Sequence, residues 1–279
     1  MTVVREAFGA RLSRAVARRG PLCAGVDPHP ELLRAWGLTP DARGLETFAL
    51  SATEALAEHV AILKPQSAFF EAYGSKGVAV LERVLEHARQ AGTLVLLDVK
   101  RGDIGSTMVA YAQAYLGDGS PLAADAITVS PYLGFGALEP ALTLAEATGR
   151  GVFVLARTSN PEGESLQRAD SGGRTVAQSV VDEAAARNAG VEPLGGVGLV
   201  VGATIEPGGL DLTGLNGPIL APGFGAQGAE ATDLAPLFGD SLPNVLAASS
   251  RGLLRQGPDP AALRAAVLRT QDELKHVLR

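Results

Sequence analysis

Eight short apolar runs, evenly spread and separated by longer Ala-rich stretches, constrain this chain more than any other feature. They occupy 22–26, 61–63, 93–99, 126–129, 151–156, 197–201, 219–221 and 244–248. Between them, 45–58, 77–91, 106–116, 136–148 and 172–188 place apolar residues at i, i+3 and i+4, the spacing of a helix face. The crossover 206–217 is glycine-rich and predicts little helix, whereas 258–278 predicts a terminal helix with Pro260 in its first turn. Some runs, VLL before Asp98 and FVLA before Arg157, are apolar at every position. That suits strands covered on both faces, as in parallel sheets. Eight units of about 35 residues predict a (β/α)8 TIM barrel. An open doubly wound sheet is the alternative; even spacing and the lack of G-x-G-x-x-G after the first run favour closure. No linker divides the chain, so 1–279 reads as a single domain with a helix before its first strand.

That first segment, MTVVREAFGARLSRAVARRG, is Arg-rich, with Val4, Phe8, Leu12 and Val16 at helical spacing. A transit peptide has the same pattern. The strand-like run that follows at once favours a helix packed on the domain. Lys and Arg number 24 against 30 Asp and Glu, a formal charge of −6. This argues against nucleic acid or an anionic membrane as the main partner, but not against a small anion in a local pocket. No apolar run approaches the roughly 20 residues of a membrane span. Cys23 is the only cysteine, so no intrachain disulfide or Cys-based zinc site can form, and a reducing, cytoplasmic setting is expected. His29, His59, His87 and His276 are scattered without metal-ligand spacing, so no metal is expected.

Chemistry-bearing residues gather where the runs end. Asp27 follows the first, Lys64 the second, Asp98 and Lys100 the third, Ser130 the fourth and Ser159 the fifth. Thr204 follows the sixth, the loop Pro222-Gly223-Phe-Gly-Ala-Gln227-Gly the seventh, and Ser249, Ser250 and Arg251 the eighth. In a barrel these ends share one rim, where active sites are built. Residues two apart on a strand face the same way, so Asp98 and Lys100 project together, with Asp103 just beyond. An ion pair at a strand end followed by a helix cap would also explain this cluster. Three charges after an unbroken apolar strand, however, are costly to shelter without a use. The glycines after the seventh run and Arg251 after the eighth suit a phosphate, through exposed backbone N–H groups and a bidentate guanidinium.

The string Asp98-x-Lys100-x-x-Asp103-Ile-Gly-x-Thr107 resembles the signature of the orotidine 5′-phosphate decarboxylase family. Asp27, Lys64, Ser159, PGFGAQG and Arg251 follow that family's order, and RTSNPEG at 157–163 with the chain length resembles its longer bacterial (type 2) branch. The resemblance implies cofactor-free conversion of orotidine 5′-phosphate to uridine 5′-phosphate and CO2, the last step of de novo UMP biosynthesis. It implies that Lys100 protonates the carbanion and that Asp98 lies near the departing carboxylate. Lys64 and Asp103 complete the charge network. Asp27 and Lys64 would meet ribose hydroxyls and Ser159 the pyrimidine. Pro222, Gly223, Gln227 and Arg251 would meet the phosphate. Asp103 and Thr107 would reach into a partner subunit's site across a homodimer. Sibling enzymes resembling 3-hexulose-6-phosphate synthase share Asp-x-Lys-x-x-Asp but use Mg²⁺; Lys64, Thr107 and PGFGAQG favour the nucleotide reading.

Overall fold

The computed structural model describes residues 5–224 and 231–277. The eight runs form parallel strands: β1 (Leu22–Val26), β2 (Ile62–Pro65), β3 (Leu94–Arg101), β4 (Ala126–Val129), β5 (Gly151–Arg157), β6 (Val197–Val201), β7 (Ile219–Pro222) and β8 (Val245–Ser249). They pair in sequence order and close into a barrel, with Leu22 and Cys23 of β1 opposite Ala247 and Ala248 of β8. The doubly wound alternative is thereby excluded.

Five strands run further toward the rim than their apolar runs, β7 and β8 by a single residue each, to Pro222 and Ser249. β2 reaches Pro65, β3 reaches Arg101 and β5 reaches Arg157. Backbone pairing continues after the apolar side chains stop: Gly25 pairs with Lys64, and Arg157 with Val201. Lys64, Asp98 and Lys100 therefore sit on the sheet itself, where position is held more tightly than on a loop.

Helices Ala42–Leu56, Gly74–Gln90, Gly105–Leu116, Glu139–Ala147, Val176–Asn188 and Pro260–Val277 wrap the barrel. The first starts three residues before its apolar periodicity, because Asp41 caps it by accepting from the Arg43 and Gly44 amides. The connection from β6 to β7 holds no helix, as its glycines predict. Short helices Pro30–Ala35, Ser67–Glu71, Glu164–Gln167 and Arg251–Leu254 follow β1, β2, β5 and β8. They are too short for a 3.6-residue period to show in the sequence.

The uninterrupted apolar runs reflect two separate cores. Ala24, Leu63, Val95, Leu97, Ile127 and Val154 pack outward beneath the helices. Cys23, Ile62, Leu96, Phe153, Val200, Leu220 and Leu246 fill the barrel interior. The helix Phe8–Arg19 closes that interior from the end opposite the polar rim, adding Phe8 and Leu12 to the inner cluster. Phe8 meets Phe153 edge-on, with ring centroids 6.0 Å apart. Two arginines of this helix are anchored on the barrel. Arg11 pairs with Asp125 and donates to the Gly149 carbonyl, ahead of β4 and β5. Arg19 donates to Thr93 Oγ1 and the Val60 carbonyl, ahead of β3 and β2. Cys23 packs as a small hydrophobe, and burial pushes its thiol up to about 12. Among the described residues no helix is long and apolar enough to cross a membrane.

Candidate active site

Asp98 is the centre of the rim. Its Oδ2 accepts from Lys64 Nζ at 3.2 Å and Gln66 Nε2 at 2.9 Å. Its Oδ1 accepts from Lys100 Nζ at 2.6 Å and Thr128 Oγ1 at 2.8 Å. Four donors saturate a buried carboxylate, so its plane is fixed. Burial alone would raise its pKa. The Lys64 and Lys100 ammonium groups, with the hydroxyl, reverse that and hold it at about 2. Burial likewise works against the charge on Lys64. Asp27, 4.0 Å away, and Asp98 prevail and raise that lysine above its ordinary value. Lys64 and Asp98 are thus both ionised across the physiological range, within a row of residues, Asp27, Lys64, Asp98 and Lys100, whose types alternate acid and base.

The two lysines differ in access. Lys64 is buried, whereas the Lys100 side chain is 45% exposed and opens toward the cavity. Lys100 also adopts φ +44, a region non-glycine residues rarely occupy. The pairing of β3 with β4 explains why: Leu97 pairs with Ile127 but Arg101 with Val129, so β3 bulges between them. Among the described residues, Asn216 is the other non-glycine with positive φ, and such strain recurs at active sites and ligand clamps.

The array lines a cavity of about 310 Å³, whose other walls include Leu155, Ser159, Asn160, Val200, Leu220 and Pro222. Lys64, Gln66 and Pro222 also line a second space of about 240 Å³, bounded by Asp27, His29, Phe69, Gly223, Ser250 and Arg251. The two form one cleft with a charged, partly apolar end and an anion-suited end. At the latter, Gly223 has φ +107, a conformation side chains resist. Gly25 lets β8's loop come close, since a Cβ there would lie 2.4 Å from Ser250 Cβ. Arg251 makes no ion pair with any described residue. Asp27 Oδ1 and Ser250 Oγ are buried without hydrogen-bond partners, acceptor and hydroxyl open to a ligand.

A sequence profile described as the orotidine 5′-phosphate decarboxylase / HUMPS family matches residues 20–266. The chain belongs to this family. A Salinispora arenicola relative named orotidine 5′-phosphate decarboxylase is 63% identical over 274 residues, 98% of this chain and 99% of its own length. A crystal structure from Streptomyces avermitilis is similar at TM-score 0.96 and 56% identity, covering 99% of this chain and 97% of that one. The Leishmania donovani OMP decarboxylase is similar at TM-score 0.75 and 31% identity, covering 98% and 99%.

Within the decarboxylase / HUMPS fold, the structure brings together most residues expected from sequence. Lys64, Asp98, Lys100, Ser159 and Pro222 share one cavity, and Asp27, Gly223 and Arg251 line its extension. Asp103 stays apart: its Oδ1 accepts only from the Ile104 amide, 2.8 Å away, and it makes no ion pair among the described residues. Asp27 supplies the array's second carboxylate within the chain. Thr107 is exposed on the helix Gly105–Leu116. Gln227 lies outside the described residues. Ser130, the expected rim residue of the fourth run, uses its amide on the Arg101 carbonyl. The hydroxyl that reaches Asp98 belongs to Thr128, two residues earlier. Sequence reasoning missed both Thr128 and Gln66. Thr128 reads as an ordinary strand residue, and Gln66 follows a proline beyond the expected end of its strand.

Proposed function

We propose that this chain decarboxylates orotidine 5′-phosphate to uridine 5′-phosphate and CO2 without a cofactor, and that residues 1–279 act as one barrel domain. The observation that carries this reading is the saturated Lys64–Asp98–Lys100 array on the wall of a cleft that continues to Arg251. The names of the relatives support the substrate.

The phosphate binds at the Pro222–Gly223 and Arg251 end, with Gln227 contributing from the same loop. Asp27, with an open buried acceptor, and Lys64 take the ribose hydroxyls. Ser159 meets the pyrimidine, placing the substrate carboxylate beside Asp98. Asp98 cannot relieve that repulsion by taking a proton, because its cationic neighbours keep it ionised. The repulsion falls as the C–C bond breaks and CO2 departs. The electron pair left on the ring carbon takes a proton from Lys100 Nζ. Its half-exposed side chain is then reprotonated by solvent. An ammonium fixed beside developing negative charge stabilises the transition state more than the ground state. Phosphate contacts far from the reacting carbon supply binding energy for closing the site.

Among the described residues, no three His, Cys, Asp or Glu side chains cluster to hold a metal. The deciding experiment is turnover of orotidine 5′-phosphate with EDTA present. Undiminished CO2 release is expected; activity that vanished with the chelator would favour the Mg²⁺-dependent sibling reading.

The same proposal makes the enzyme a homodimer in which Asp103 and Thr107 complete the partner's site. Support comes from the surface around them. Ile104, Val109, Tyr132 and Leu133, on the segments after β3 and β4, are 62%, 47%, 75% and 52% exposed. Large apolar side chains so exposed mark an association surface. Mixing inactive Asp103→Ala and Lys100→Ala chains should restore activity, since each hybrid dimer holds one intact site. Random exchange in a cyclic dimer gives about a quarter of the wild-type rate. No recovery despite demonstrated subunit exchange would argue against a shared site.

A further inference from the structure

We propose that Thr128 is a positioning residue for this reaction, whose hydroxyl holds the bulged Lys100 backbone and the Asp98 carboxylate in one closed ring of hydrogen bonds. The inference rests on the decarboxylase reading and deepens it.

The bulge creates the need. Two pairings bracket it, Leu97 with Ile127 and Arg101 with Val129, so β3 spends four residue steps where β4 spends two. Lys100 at φ +44 is turned out of a regular ladder, a conformation that persists only if its surroundings over-determine it. Its displaced N–H donates to Thr128 Oγ1 at 2.9 Å. The same hydroxyl donates its proton to Asp98 Oδ1 at 2.8 Å. That oxygen in turn accepts from Lys100 Nζ at 2.6 Å. Backbone and side-chain nitrogens of one lysine are therefore tied through a single oxygen and a single carboxylate. Lys100 Nζ cannot leave Asp98 without disturbing the ring, although its side chain is half open to solvent.

The residue type fits the task. Thr128 is buried, and its Cβ branching restricts χ1, so the hydroxyl is aimed rather than free to rotate away. Leu155, Val200 and Leu220 face the same cavity from neighbouring strands, so valine would satisfy packing at this position. Valine would leave Lys100 N and Asp98 each one partner short. Thr128 acts through Lys100 and Asp98, so its loss should lower the rate of the chemical step more than substrate affinity.

The test compares Thr128→Val, which keeps the shape, with Thr128→Ser, which keeps the hydroxyl. For Thr128→Val, kcat should fall about 10- to 100-fold with KM changed less than about threefold. Thr128→Ser should stay within about threefold of wild type in both. A wild-type kcat in the valine variant, a serine variant as slow as valine, or a loss confined to KM would each overturn the proposal. Thr128→Ala should match the valine variant and serves if that chain does not fold; an alanine variant as fast as serine counts against the idea. Ligand-free crystal structures separate this inference from the functional reading. Lys100 Nζ should leave Asp98 Oδ1 in Thr128→Val and stay in Thr128→Ser, whatever substrate the enzyme takes. An unmoved lysine in the valine variant would sink the positioning role.

Discussion

Replacing Lys100 with alanine should abolish decarboxylation while leaving the barrel folded. The proposed general acid and the cation beside the developing charge are one group, so both contributions are lost together. Proton donation and preorganised charge combine to a fall in kcat of about 10,000-fold or more, which corresponds to about 5 kcal/mol of transition-state stabilisation. Asp98 would remain ionised, because Lys64, Gln66 and Thr128 still donate to it. Lys100 is half-exposed, so its pairing should add no more than about 1 kcal/mol to stability. Single-turnover kinetics, denaturant unfolding and calorimetric binding of uridine 5′-phosphate together check the expectation. A variant that turns over at the wild-type rate would show that Lys100 is not the proton donor.

At the other end of the barrel, Phe8→Ala should be the most disruptive single truncation in the first helix. Phe8 is fully buried, sits edge-on to Phe153 and belongs to the inner cluster rather than the outer shell. Gly151 leaves room for it, since a Cβ there would come within 2.4 Å of the ring. Cutting the side chain back empties the floor of a closed interior whose strands cannot collapse inward. The expected cost is about 3–5 kcal/mol, read from urea unfolding. The kcat of the folded fraction should be unchanged, because helix and rim lie at opposite ends. A loss below about 1 kcal/mol would mean that the helix covers the barrel without supporting it.

Asp98 and Lys100 show how far the sequence reaches. Period-two alternation puts them on one face, and they do meet. The contact, however, runs through a bulge with Lys100 at positive φ, which alternation alone does not foresee. Lys64 and Arg251 were visible because a charge ending an apolar run is conspicuous. Gln66 and Thr128 were not, because neutral polar residues at strand ends are commonplace and acquire meaning only from what they touch. Ser130 was conspicuous and does not touch the carboxylate: β4 ends at Val129, and the bulge brings Arg101, not Lys100, level with it.

Read alone, the sequence favours a barrel over an open sheet and locates the charges at the strand ends. Both follow from local periodicity and chain order, which a linear pattern records. The closed fold is what gives Asp98 four donors, three on strands and Gln66 just past β2, makes Asp27 rather than Asp103 complete the array within one chain, and plugs the interior with Phe8 and Leu12. Each depends on barrel closure, which juxtaposes residues tens to more than a hundred positions apart and sets the burial that makes their charges interact strongly. Distance and dielectric are properties of the closed fold, and no spacing along the chain encodes either.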